Sequence, residues 1–212
     1  MKIKILLSFL SIFLLLASTK PNNQPKKTKL IVGIVIDQMR YDYLTRYSER
    51  YGSDGFHRLI KNGFSLENAH YNYIPTYTAV GHSSIYTGTT PSEHGIISNN
   101  WYDKFLKKTI YCVDDNNYKT VGKTGTKGQK SPKRLFTSSI TDQLHLAQNM
   151  NGKTIGISIK DRSAILPAGH TANGAYWYDG KNYNTWITSS YYMENLPKWV
   201  DNFNKNNNAD RY

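Results

Sequence analysis

Four short stretches hold the residue types that bind or attack charged oxygen. Asp37 ends the unbroken, largely β-branched run Leu30-Ile31-Val32-Gly33-Ile34-Val35-Ile36. A carboxylate leaving a buried strand stands on the ligand-binding edge of an open α/β sheet, where it can hold a divalent metal or a substrate. It can equally cap the helix that follows. Thr78 lies at or beside the start of a helix running to Thr87 and stopped by Gly88. Free amide N–H groups and the helix dipole favour an anion there. The hydroxyl then serves as an ordinary N-cap, or as a nucleophile whose pKa a bound metal lowers. Asn99 and Asn100 follow Ser92-Glu93-His94-Gly95-Ile96-Ile97-Ser98, and an amide N–H₂ donates to a charged oxygen. Lys160 and Arg162 flank Asp161 at a strand end and point the same way if the backbone is extended. Such a pair suits a dianionic phosphoryl group, Arg as a planar fork and Lys as a point charge, or is a surface pair around Asp161.

The elements that must position these groups alternate. The run from Leu30 to Ile36 predicts a strand buried on both faces, as in a parallel sheet covered by helices. Helices are expected over about 41–50 and 54–62, a short strand over 64–73, and a helix over Thr78–Thr87. Two short strands are expected within Trp101–Val113. From Asn116 to Ile140 the chain has no acid but carries Lys119, Lys123, Lys127, Lys130, Lys133 and Arg134, and reads as an exposed loop. An amphipathic helix over Thr137–Met150 and a strand over Thr154–Ile159 follow. Alternation around Asp179-Gly180 in Ala175–Thr188 signals a hairpin. Pro197 opens a last helix. The pattern is α/β, with functional groups expected at strand C-terminal ends.

At 212 residues, with 27 Lys+Arg against 15 Asp+Glu, the chain carries +12. Lys2 and Lys4, the apolar run Ile5–Ala17 and the small or polar exit after it describe a secretory signal peptide over residues 1–19. The run is short for an uncleaved anchor, and no stable membrane span is expected after cleavage. Removing it lowers the charge only to +10. Residues 20–29 read as a linker, and the protein as periplasmic or secreted. Cys112, the single cysteine, excludes a disulfide scaffold. The positive charge favours anionic partners in general, and no RRM, KH or zinc-finger pattern points to specific nucleic-acid binding.

Taken together and in order, the four segments resemble the alkaline phosphatase superfamily, most of all its secreted PafA-like phosphomonoesterases, neighbours of the nucleotide pyrophosphatase/phosphodiesterases. The carrying motifs are Ile34-Val35-Ile36-Asp37, Thr78-Ala79-Val80-Gly81-His82-Ser83-Ser84-Ile85-Tyr86-Thr87-Gly88, Pro91 to Asn99, and Ser158-Ile159-Lys160-Asp161-Arg162 leading to His170. The resemblance implies an α/β/α sandwich and two zinc ions beside the nucleophile. Asp37 would be a zinc ligand, and Thr78 both a ligand and the residue phosphorylated. Asn99, rather than Asn100, would bind a non-bridging phosphoryl oxygen. Lys160 and Arg162 match the pair that holds the extra charge of a phosphate monoester, a pair that the superfamily's diesterases lack. In such enzymes the remaining zinc ligands come from a later part of a longer chain, and no matching ligand motif follows Arg162. Residues 30–212 are therefore expected to be the N-terminal portion of the domain, with the C-terminal part of the sheet missing, and inactive or nearly so alone. The alternatives are a phosphodiesterase or nucleotide pyrophosphatase of the same superfamily, and a non-catalytic basic envelope protein binding polyanions through Lys119–Arg134.

Overall fold

The computed structural model describes residues 28–180 and 184–206. The signal peptide and most of the linker expected from the sequence lie outside them. Two compact units are present, Met1–Ile36 and Asp37–Tyr212. In the first, the described residues 28–36 have no regular structure, and Leu30, Ile31, Val32, Ile34 and Ile36 are exposed. The strand expected there is thus absent. A doubly buried strand is stable only with hydrogen-bonded neighbours along both edges and helices over both faces, and residues 30–36 belong to neither described sheet.

The second unit opens with short helices, α1 (Tyr43–Arg46), a 3₁₀ turn (Ser48–Arg50) and α2 (Phe56–Asn62). Residues 64–73, expected as a strand, form none. The next helix, α3 (Thr78–Thr87), has the expected bounds and ends on Gly88 in the left-handed conformation. Its residues Ala79 to Ser84 are all buried, which the small side chains Ala79, Gly81, Ser83 and Ser84 allow. A short helix, α4 (Pro91–His94), leads to the hairpin β1 (Asn100–Asp103) and β2 (Lys108–Tyr111).

A four-stranded mixed sheet follows, ordered β3, β6, β5, β4, from β3 (Thr120–Val121), β4 (Ile155–Ser158), β5 (Gly174–Asp179) and β6 (Thr185–Ser189). Only β4 and β5 run parallel, and the helix between them is α6 (Asp161–Ala168). That helix, which the sequence pattern did not reveal because Pro167 falls inside it, packs on α3, β4 and β5. Before it, α5 (Ile140–Ala147) is shorter than the expected Thr137–Met150. The last helix, α7 (Lys198–Lys205), takes Pro197 as its N-cap rather than its first residue. Ala79, Ile96, Cys112, Leu135, Ile165, Leu166, Trp177 and Ile187 belong to one apolar core beneath helices and sheet.

The basic stretch 116–140 is only partly the exposed loop expected. Val121, Lys130, Ser131 and Leu135 are buried. Asp115, just before it, accepts hydrogen bonds from Ser131 Oγ and Lys133 Nζ. A side chain on Gly128 would meet the Thr120 backbone at 2.4 Å and the Thr188 carbonyl oxygen at 2.5 Å, so the loop lies against β3 and β6 at a distance only glycine permits.

Candidate active site

Thr78 is the first residue of α3, and Tyr77, which precedes it, makes no side-chain cap. The Thr78 hydroxyl does not cap the helix either. It donates to Asp37 Oδ2 at 2.8 Å across 41 residues of sequence. Asp37 is equally free of a capping role, since the next helix begins after Asp42 and, among the described residues, Asp37 Oδ1 accepts the neighbouring Gln38 N–H. Both local alternatives that the sequence leaves open are therefore unused, and the two residues meet each other instead.

Asn99 joins them from the loop after α4. Its Oδ1 accepts the Ala79 N–H at 2.9 Å, which caps a first-turn donor of α3 from outside the helix. With its oxygen so engaged, the amide N–H₂ is the branch left to donate. The loop carrying Asn99 is tied at two points. The Asn99 carbonyl accepts Cys112 N–H, and buried His94 accepts Ile96 N–H at Nδ1 while its Nε2 meets Ser84 Oγ at 2.9 Å. Because Nδ1 accepts, the neutral ring carries its proton on Nε2. Burial lowers the His94 pKa, with its own backbone contact opposing. Asn100 instead begins β1, paired with Tyr111.

Lys160 and Arg162 do not lie on one extended strand. Lys160 is the N-cap of α6 and Arg162 stands in its first turn. The structure still brings them together, because both line one cavity of about 570 Å³, with Tyr111, Lys127, Lys130 and Trp177 among the other walls. Asp161 is no ion-pair partner between them. Its Oδ1 accepts the Tyr111 hydroxyl and the Arg162 N–H.

Tyr111 is the residue that sequence reasoning missed. Its oxygen accepts from Arg162 Nη1 at 3.0 Å while its hydroxyl donates to Asp161, so it braces the guanidinium against a carboxylate. Arg162 Nε is buried with no protein partner among the described residues, which leaves the fork with donors to spare. Burial, then the Asp161 charge, hold the Tyr111 pKa far above its ordinary value, so it stays a neutral donor. The only available signal was its place at the end of β2, opposite Asn100, which no local pattern marks as functional. Cys112 beside it is buried, and its thiol is pushed up to about 12, chiefly by burial.

Asp37 and Thr78 are the only predicted site residues suited to a metal. Zinc takes about four ligands, and no group of three or more His, Cys, Asp or Glu suited to a metal occurs among the described residues. Two such donors do not make a complete zinc site.

Helices and a mixed sheet thus carry a hydroxyl, an amide and two cations, one of them braced by a tyrosine. The chain belongs to the type I phosphodiesterase / nucleotide pyrophosphatase family, whose model matches residues 31–211. It is 50% identical to alkaline phosphatase PafA of Elizabethkingia meningoseptica over 96% of this chain and 37% of the relative. It is 48% identical to alkaline phosphatase PhoV of Synechococcus elongatus over all of this chain and 40% of the relative. A Myroides odoratus protein named a calcium-transporting ATPase is 54% identical over 94% of this chain and 36% of the relative. The crystal structure of wild-type PafA superposes with a TM-score of 0.80 at 52% identity, over 82% of this chain and 33% of that one. The fold is thus that of the alkaline phosphatases. The chain spans between 36% and 40% of the length of these three curated relatives.

Proposed function

We propose that these residues are part of a phosphomonoesterase site. The observation that carries the reading is the pair Lys160 and Arg162 on one cavity, with Arg162 braced by Tyr111, because a monoester dianion bears one more negative charge than a diester. Thr78 Oγ1 forms the new bond to phosphorus as the bond to the leaving alcohol's oxygen breaks. Asp37 Oδ2, which accepts the Thr78 hydrogen bond, marks the side from which that proton departs. Asn99 N–H₂ donates to a non-bridging oxygen, and the product is a phosphothreonine.

A solved variant of PafA supports the assignment. It carries replacements of a threonine, an asparagine, a lysine and an arginine, spaced as Thr78, Asn99, Lys160 and Arg162 are here except for one more residue between the asparagine and the lysine. It superposes with a TM-score of 0.82 at 48% identity. The resemblance assigns two zinc ions, toward which Asp37 and Thr78 would be the donors of this chain; bound zinc lowers the pKa of an oxygen it holds. Since those two donors fall short of a shell, the 212 residues alone are expected to be inactive or nearly so. Periplasmic or secreted location rests on residues 1–19.

The diesterase reading has the family description in its favour. The polyanion reading is weakened by Lys130, Lys133 and Arg134, whose heads are engaged with Asp114 Oδ1, Asp115 Oδ1 and the Asp114 carbonyl. Calorimetric titration of the purified chain with inorganic phosphate and with dimethyl phosphate separates the first two. Phosphate is expected to bind at least about tenfold more tightly, with Lys160→Ala and Arg162→Ala erasing the difference. Equal binding of the two would favour the diesterase.

A further inference from the structure

The cavity lined by Lys160 and Arg162 is larger than a phosphoryl group needs. Its roughly 570 Å³ lies within the ~300–1,000 Å³ of small-molecule pockets, many times the ~30 Å³ share of one water. Thr78 does not line it. The one substituent of a phosphate monoester is its leaving group, so what fills the rest of a cavity lined by the phosphoryl-holding cations is that leaving group.

Two further cations line that cavity. Lys127 and Lys130 lie on the loop after β3, and Asp114, Asp161 and Asp179 are the carboxylates among the lining residues. Asp114 pairs with Lys130, whose ammonium also lies 5.5 Å from the centre of the Tyr111 ring. Asp161 is engaged by Tyr111 and by the Arg162 N–H. Lys127 is exposed and has no carboxylate partner among the described residues. A neutral leaving group would meet this lysine without using it.

We infer that Lys127 forms a second anion subsite, and that the preferred substrates are phosphate monoesters whose leaving group carries a second phosphoryl group. The inference rests on the phosphomonoester reading of Lys160 and Arg162, and adds to it a contact that those two residues do not make. Lys130, neutralised by Asp114 and held over Tyr111, shapes the wall.

Titration of the 212-residue chain with three probes tests this: inorganic phosphate, propanediol monophosphate and 1,3-propanediol bisphosphate. The bisphosphate is expected to bind about tenfold more tightly than the monophosphate at low salt, and the gap to shrink as salt rises. Lys127→Gln is expected to close the gap to within about twofold while leaving phosphate and monophosphate affinities unchanged, whereas Arg162→Gln weakens all three. Far-ultraviolet circular dichroism checks that each variant is folded. Equal affinity for the two esters, or a preference that survives Lys127→Gln, overturns the inference alone. Failure of all three probes to bind overturns the phosphoryl site and this subsite with it.

Discussion

Tyr111 is the point at which the candidate site can be loosened without removing a charge. Tyr111→Phe keeps the ring beneath Lys130 but deletes the oxygen that accepts from Arg162 Nη1 and the hydroxyl that donates to Asp161. The expected result is a loss of about 1 kcal/mol in phosphate affinity, roughly fivefold, read by calorimetry, with stability changed by no more than about 1 kcal/mol. Affinity equal to the parent's would mean that the guanidinium needs no brace. The other candidate groups could be nominated from sequence because chemistry and motif coincide at Asp37, Thr78, Asn99, Lys160 and Arg162. Tyr111 could not, since a tyrosine closing a four-residue strand looks like any other. The spacing argument for Lys160 and Arg162 also misjudged the backbone: α6 starts between them, and they share a cavity through that turn rather than through a common strand face.

Elements were legible where their own residues determine them. The helix Thr78–Thr87 has small residues along a buried surface and a left-handed Gly88 to stop it, and both signals are local. The strand expected at Leu30–Ile36 depends on neighbours that no run of seven residues can supply, and those residues are exposed. The basic loop hid its anchors for a similar reason, because Asp114 and Asp115 lie just before it. Its closest approach gives one prediction: Gly128→Ala, with Cβ about to overlap backbone at Thr120 and Thr188, should cost roughly 1–3 kcal/mol in urea unfolding. The start of α5 gives another. Asp142 is buried and accepts from Ser139 and Thr171, each through backbone N–H and hydroxyl. Burial raises its pKa, but these bonds outweigh it and the net shift is downward. A depressed folded pKa stabilises fully above the ordinary carboxylate value of about 4, and the contribution is lost as pH falls through the folded value. Asp142→Asn should therefore destabilise by roughly 1–3 kcal/mol at pH 7, and the gap from the parent should narrow below about pH 4 in acid unfolding. A gap that stays constant with pH would contradict the charged role.

For the whole molecule, the +12 divides into parts with different meanings. Lys130 and Lys133 are paired with carboxylates, and Lys160, Arg162 and Lys127 line the cavity. What unifies the site is a path of contacts rather than one pocket: Asp37 to Thr78, Ala79 to Asn99, Asn99 to Cys112, and Tyr111 to Arg162. The central claim is that the two ends of this path hold one phosphoryl group. Titrating the ¹⁵N-labelled chain with inorganic phosphate while following the Thr78 backbone amide, the Asn99 side-chain amide and the Arg162 guanidinium tests it directly. The account predicts that all three signals shift with one common affinity. Shifts at Arg162 with Thr78 and Asn99 unmoved, or with a different affinity, would contradict it.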